Sequence, residues 1–255
     1  MSRQLRYIPE EMKIWTDSRG LKIAVSEITI GAQQSRFLLR PSPEVRDIIV
    51  GAMAHAQEVH KFDVYAYSFL SNHGSYLIGV TGAEHQAAIM RDIHSKIGLE
   101  LRRREFSDWT GGIFHRRGRP ILVANAEDLI ARQKYCLSNS TKEHLVTRPD
   151  RWGGAHAAKA LCGHGNGIYG RFMEDEGVYN ERSKYWDYKL KGMSDVDARK
   201  ACIEKVTLKL CKLPCWADMG DEEYRQKMVS MCVEISREAA EVRQEEKRSV
   251  LGMAR

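Results

Sequence analysis

Two short segments of the chain carry polar side chains at spacings that place them side by side. His73 and Ser75 flank a glycine where a predicted strand begins, so both side chains should project from one face of that strand, as two ligands of one cation must. Tyr135 and Asn139 are four residues apart in a predicted helix and therefore also share a face. The sequence thus predicts an imidazole and a hydroxyl together on a strand, and a phenol and an amide together on a helix.

A basic segment lies between residues 101 and 120. Its arginines are Arg102, Arg103, Arg104, Arg116, Arg117 and Arg119, and Phe106, Trp109 and Phe114 stand among them. Phosphates bind arginine and unpaired bases stack on aromatic rings, so this composition favours a single-stranded nucleic acid. The alternative is a solvated helix end and a loop with ordinary core aromatics. Overall, 40 Lys and Arg against 34 Asp and Glu permit a polyanionic partner without requiring one.

Hydrophobic periodicity predicts the elements that position these residues. Strands are predicted at residues 22–30, 62–70, 75–80 and 120–123. Helices are predicted from Pro43, capped by Ser42, to about His60, from Gly82 to about Leu101, and from Asn125 to about Leu137. This order predicts an α+β fold with a ferredoxin-like, split βαβ antiparallel sheet. Two helices should cover one face of the sheet and leave the other face open.

The chain is expected to divide into residues 1–150, which contain the motifs, and a mainly helical extension of residues 151–255. In the last predicted helix, Met228, Met231, Cys232 and Ile235 lie on one side, which predicts packing against the body or a second subunit. No stretch approaches the roughly 18 apolar residues of a membrane span, and the first residues lack a secretory apolar run. We therefore expect a cytoplasmic protein.

The motifs resemble those of the single-tyrosine HUH transposases, especially the branch that includes the REP-associated tyrosine transposases. Their hallmarks are Asn-His-x-His on a strand, Tyr-x-x-x-Asn or Tyr-x-x-x-Gln on the helix after the fourth strand, and an Asn-Pro-x-Lys-x-x-Leu-Val-like tail. Here the corresponding segments read Asn72-His-Gly-Ser75, Tyr135-Cys-Leu-Ser-Asn139 and Asn139-Ser-Thr-Lys-Glu-His-Leu-Val146. Segments 36–41 and 213–216 also look like a branch of this family. The match covers about residues 22–150 well and the last third only loosely.

The resemblance implies a bacterial enzyme that cuts and rejoins single-stranded or hairpin DNA. Tyr135 would be the nucleophile and would form a 5′-phosphotyrosine, leaving a free 3′-hydroxyl. His73, Asn139 and position 75 would hold Mg²⁺ or Mn²⁺, which polarises the scissile phosphate. The arginines expected to contact the nucleic acid are Arg36, Arg40, Arg116, Arg117 and Arg119. Members of the family act as monomers or as homodimers that exchange tyrosines, and both states stay open here.

The sequence departs from the family pattern at two neighbouring positions. Ser75 stands where the family has its second histidine, and a neutral hydroxyl is a poor replacement for imidazole. Weaker metal occupancy or a preference for manganese is therefore expected. Gly74 replaces a bulky apolar residue and is expected to loosen the packing behind the ligands. His115, just before the last strand, is an alternative source of the missing imidazole.

Three functions remain open from the sequence. The first is an active endonuclease and strand transferase, as the resemblance implies. The second is a non-catalytic binder of hairpin DNA or RNA, which the departures at Gly74 and Ser75 favour. The third is a ferredoxin-like interaction protein whose motifs match by chance.

Overall fold

Five strands form one antiparallel sheet in the computed structural model, which describes residues 13–103, 109, 111–115, 118–163 and 172–252. The strands are β1 (Trp15–Thr16), β2 (Lys22–Gly31), β3 (Val64–Phe69), β4 (His73–Val80) and β5 (Arg119–Leu122). β4 lies between β2 and β3, and both β1 and β5 pair with the other edge of β2. This arrangement confirms the predicted ferredoxin-like α+β fold.

One face of the sheet is covered by α1 (Pro43–His60) and α2 (Ala83–Arg103). The Ser42 side chain caps α1 by accepting a hydrogen bond from the Val45 backbone N–H at 3.2 Å, as predicted. On α2, His94 Nε2 lies 2.9 Å from the hydroxyl of Tyr76 in β4. The side chains of even-numbered positions in β4 therefore point towards these two helices.

The opposite face is covered by a third helix, α3 (Ala126–Lys142), which begins after its predicted N-cap Asn125. Cys136 Sγ donates to the Ser75 carbonyl oxygen at 3.5 Å, and Arg132 pairs with Glu27 of β2 at 2.9 Å. The expectation of an open face was therefore wrong in this region. The physical reason is that the apolar stripe of α3, which includes Leu129, must be buried.

The last third of the chain wraps around this core. It contains α4 (Ala158–Cys162), β6 (Glu174–Asn180), α5 (Tyr185–Leu190), α6 (Asp195–Ala201), β7 (Ile203–Lys209) and α7 (Asp221–Glu245). The antiparallel pair of β6 and β7 packs so closely on α1 that a Cβ atom at Gly51 would overlap the Val178 carbonyl. The four residues predicted on one side of the last helix are buried against α3 and α4, which confirms that prediction. Among the described residues, no helix is long and apolar enough to cross a membrane.

Candidate active site

His73 is the first residue of β4 and lines a groove at the end of the sheet. The groove has a volume of about 990 Å³, and its walls include Phe37, Arg40 and Glu143. His73 Nδ1 lies 2.8 Å from Asn72 Oδ1, which orients the ring and leaves Nε2 available. Burial lowers the pKa of His73 below its ordinary value, although the nearby Glu143 carboxylate opposes this effect. The imidazole is therefore neutral near pH 7 and able to accept a proton or bind a cation.

Ser75 shares a face with His73, as predicted from their spacing, but it lies deeper in the fold. Only 1% of Ser75 is exposed, and its hydroxyl oxygen is 3.3 Å from that of Thr29 on β2. Cys136 of α3 lies over its carbonyl oxygen. The Ser75 side chain is therefore in the interface between sheet and helix, outside the described wall of the groove.

Gly74 does not loosen the packing, so the expectation from the sequence was wrong. Its Cα lies against the Phe69 ring, and a Cβ atom at this position would overlap that ring. The Phe69 ring, which stacks on Tyr76 with centroids 6.2 Å apart, fills the space that a bulky side chain at position 74 would need. Glycine is thus the residue that this packing requires, and the strand behind His73 is firmly supported.

Tyr135 and Asn139 lie one turn apart on a single flank of α3. The Tyr135 side chain is 46% exposed, and Lys142 Nζ lies 4.8 Å from the centre of its ring. Asn139 is only 4% exposed, and its Nδ2 atom has no hydrogen-bond partner among the described residues. The opposite flank of α3 is tied to α7, because Lys134 pairs there with Glu238 at 2.7 Å. The phenol is therefore accessible beside a buried amide with unsatisfied hydrogen-bonding capacity.

The loop between β2 and α1 forms the wall of the groove next to His73. Its ends are fixed, because the backbone N–H groups of Ala32 and Leu39 donate to the carbonyls of Asn72 and Ser71 at 2.7 and 2.8 Å. Within it, Gln34 and Ser35 have φ angles of 52° and 54°, a left-handed conformation that non-glycine residues rarely adopt. Backbone strain of this kind is concentrated at functional sites.

This loop exposes Phe37, a residue that the sequence analysis did not select. Half of its surface is accessible, whereas the next residue along the chain, Leu38, is buried. In the sequence, the run Phe37-Leu38-Leu39 reads as ordinary core. The adjacent arginines, Arg36 and Arg40, were the residues of this segment that the sequence analysis expected to contact a nucleic acid.

The predicted arginines fall at different places. The Arg36 guanidinium lies 4.5 Å from the centre of the Trp109 ring, and Arg40 is exposed in the wall of the groove. Arg119 is exposed on β5, where its backbone pairs with that of Thr29. Arg116 and Arg117 lie outside the described residues, as does Phe106 from the same basic segment. Phe114 packs against His94, with ring centroids 5.2 Å apart, and belongs to the core side of the sheet.

The predicted metal ligands fit a divalent cation only in part. His73 offers a free imidazole nitrogen, whereas the atom of Asn139 that lacks a partner is Nδ2, a hydrogen-bond donor that cannot bind a cation. Ser75 does not fit, because its hydroxyl is buried and lies within hydrogen-bond distance of Thr29. Within the described ranges, no group of three or more His, Cys, Asp or Glu side chains is placed to hold a metal ion. The set of His73, Ser75 and Asn139 is therefore incomplete as a metal centre.

Two solved structures are similar to this chain. One is a REP-associated tyrosine transposase bound to a REP hairpin, with a TM-score of 0.46 and 15% identity, covering 62% of this chain and 82% of that chain. The other is a provisionally assigned transposase from Deinococcus radiodurans R1, with a TM-score of 0.35 and 13% identity, covering 47% and 94%. Both proteins are named as transposases. No family model matches the sequence, and neither does any curated protein.

Proposed function

We propose that this protein binds single-stranded DNA next to a hairpin and cleaves it with Tyr135 as the nucleophile. The observation that carries the proposal is the placement of Tyr135. Its phenol is exposed on the flank of α3, one turn from Asn139, above the sheet face from which His73 projects. The proposal requires this phenol to reach a phosphate held at the end of the sheet.

The groove beside His73 has the composition needed for an unpaired strand. Phe37 offers an exposed ring on which a base can stack, and Arg40 offers a cation for a phosphate. A base-paired strand cannot use such a ring, because its bases already stack within the duplex. We therefore expect the groove to select the single-stranded segment beside a hairpin stem.

The chemical step is a displacement at phosphorus. The Tyr135 oxygen forms a bond to phosphorus, and the bond to the 3′-oxygen breaks, giving a 5′-phosphotyrosine and a 3′-hydroxyl. The phenol loses its proton, and the leaving 3′-oxygen gains one. The phosphate is now an ester of the Tyr135 oxygen. Attack on it by another 3′-hydroxyl can therefore reverse the step and join two strands. Lys142, next to the ring, stabilises the negative charge that develops on the phenolic oxygen.

The burial of Ser75 favours a second candidate function, that of a nucleic-acid-binding protein without catalytic activity. Because the Ser75 hydroxyl lies against Thr29, position 75 contributes nothing to the groove. In that case Phe37, Arg36 and Arg40 would bind the strand, and Tyr135 would be one more contact surface.

A covalent capture experiment distinguishes the two. Labelled hairpin oligonucleotides with single-stranded flanks are incubated with the protein and Mn²⁺ or Mg²⁺, then resolved on a denaturing protein gel. The proposal predicts a labelled protein band that Tyr135→Phe abolishes. Tyr188→Phe is the matched control, because Tyr188 lies on α5 outside the proposed site. Retarded DNA on a native gel with no covalent band would favour the binder and contradict the nuclease.

A further inference from the structure

We infer that a cleft between α3 and α7 is a binding pocket for one nucleobase of the DNA strand, next to Tyr135. This α3–α7 cleft lies between residues 138–144 and residues 235–242. The inference rests on the proposed function and deepens it, because it adds a site that selects a base close to the scissile phosphate.

The cleft is a product of how the two helices pack. Lys134 of α3 pairs with Glu234 and Glu238 of α7, and further along the chain His144 approaches Glu246, so the helices run in the same direction. The space left between them has a volume of about 200 Å³. Pockets for drug-sized molecules begin at roughly 300 Å³, so this space suits a single base and not a stack of bases.

One wall of the cleft is apolar. Ile235, Ala239 and Val242 recur at helical spacing and form a stripe along α7. Ile235 and Ala239 are buried, whereas Val242 is 42% exposed at the rim. A nucleobase is a flat ring system whose faces are apolar, and such faces are stabilised when they leave water for a wall of this kind.

Hydrogen-bond acceptors stand at the polar side of the cleft. Lys134 donates to Glu238 Oε1 at 2.7 Å, but Oε2 accepts no hydrogen bond from any described residue. The Ser138 hydroxyl donates to the Tyr135 carbonyl at 2.9 Å, which leaves its lone pairs available. Acceptors favour a base that presents an amino group, as cytosine, adenine and guanine do and thymine does not.

His144 closes one end of the cleft. Its φ angle of 56° is left-handed, and its backbone is held by hydrogen bonds to Thr141 at 3.0 Å and from Leu251 at 2.8 Å. Its Nε2 atom lies 3.4 Å from the Glu246 carboxylate, and its buried Nδ1 atom has no hydrogen-bond partner among the described residues. This end is therefore fixed in position, and the protein leaves part of its hydrogen-bonding capacity unused.

Lys142 connects the cleft to the nucleophile. It lines the cleft, and its Nζ atom lies 4.8 Å from the centre of the Tyr135 ring. Tyr135, Ser138 and Lys142 share a face of α3, because they are spaced three and four residues apart. The Lys142 ammonium has no carboxylate partner among the described residues and is available to a phosphate. A nucleotide whose phosphate contacts Lys142 can thus place its base in the cleft.

An abasic scan of the DNA tests the inference. Hairpins in which each nucleotide of the single-stranded flank is made abasic in turn are titrated with full-length Tyr135→Phe protein, and binding is measured by fluorescence anisotropy. One abasic position should weaken binding about tenfold. In Val242→Trp, added to the same background, the new ring fills the cleft, so this loss should disappear.

Val233→Trp is the matched control, because Val233 is 61% exposed on α7 and lies outside the lining of the cleft. It should keep the full abasic profile of the background protein. Circular dichroism at matched temperatures checks that both tryptophan variants are folded. Identical abasic profiles in Val242→Trp and Val233→Trp would overturn the inference.

The choice of base tests the role of Glu238. At the sensitive position, a base with an amino group should bind about tenfold more tightly than thymine. Glu238→Gln should reduce this preference, since an amide can also donate to thymine. Glu234→Gln should keep it, because Glu234 pairs with Lys134 but does not line the cleft. Equal binding of all four bases by the background protein would contradict a base-selective pocket.

The two levels of the account can be told apart. The Tyr135→Phe background removes the chemical step, so a flat abasic profile would overturn the base pocket and leave covalent capture by Tyr135 untouched. Failure to bind any of the hairpins would overturn the proposed function together with the pocket.

Discussion

At the scale of single residues, the alternation of His73 and Ser75 and the helical spacing of Tyr135 and Asn139 were predictable. Both follow from backbone periodicity, which is a local property. The depth of each side chain was not predictable, because it depends on what packs above the strand. Ser75 is buried since α3 lies over it, and Gly74 is required since the Phe69 ring occupies its space.

The packing at Gly74 leads to a test of stability. We expect Gly74→Ala to lower the free energy of unfolding by about 1–3 kcal/mol, because the added methyl group must displace the Phe69 ring. Gly31→Ala, in the neighbouring strand, has open space around its new methyl group and should be close to neutral. Urea denaturation of both variants provides the comparison. Equal free energies of unfolding for Gly74→Ala and Gly31→Ala would show that the Phe69 ring moves aside without an energetic cost.

A second prediction concerns the charge next to the phenol. Lys142→Met should slow formation of the covalent adduct about fivefold, equivalent to about 1 kcal/mol for an exposed charge. Lys142→Arg retains the charge over the ring and should keep most of the rate. Single-turnover capture of labelled hairpin DNA gives these rates. Equal rates in the Met and Arg variants would show that the positive charge at position 142 does not contribute to the reaction.

At the scale of elements, the loop between β2 and α1 was the least predictable part of the site. Its position depends on backbone hydrogen bonds to residues 71 and 72, more than thirty positions away in the sequence. The backbone of His115 is held in the same way, because its N–H donates to the Gly31 carbonyl. Hydrogen bonds between residues far apart in the chain leave no periodic pattern in the sequence of either partner. The start of α1 was predictable, because Ser42 and Pro43 are typical of a helix N-terminus.

The loop also yields a prediction for DNA binding. Phe37→Ala should weaken binding of a hairpin with a single-stranded flank, by about 1–3 kcal/mol if one base stacks on the ring. Phe37→Trp should retain the affinity. Binding of a blunt, fully paired hairpin should be unchanged in both variants, which makes it the internal control. An equal loss for paired and unpaired DNA in Phe37→Ala would exclude a stacking role.

At the scale of the whole molecule, the ferredoxin-like order was predictable because each strand and helix carries its own pattern. The pair of strands β6 and β7 was missed, since the β6 sequence, EDEGVYN, is acidic and lacks a strand's usual alternation. It is stabilised by docking on α1, where Gly51 allows close backbone contact. Tertiary packing of this kind overrides local propensity.

Buried histidines predict how the stability of the whole fold depends on pH. Burial lowers the pKa of His94 and His156 from 6.5 to about 4. The unfolded chain binds protons below about pH 6.5, whereas the native state binds them only near pH 4, so stability falls as the pH drops through this range. Between pH 7 and pH 5 we expect a loss of about 2 kcal/mol for each histidine.

Urea unfolding at the two pH values measures this loss. His156→Gln removes one of the two groups and should make the stability less dependent on pH. If wild type and variant lost the same stability on acidification, His156 would not be buried in its neutral form.

The formation of a covalent bond between Tyr135 and DNA is tested most directly by mass spectrometry of the trapped complex. Hairpin DNA is incubated with the wild-type protein, the complex is digested with protease and nuclease, and the modified peptide is sequenced. We expect a single nucleotide-bearing peptide, with the phosphate on Tyr135. A phosphate on any other residue, or the absence of a covalent peptide under conditions in which the DNA is bound, would contradict it.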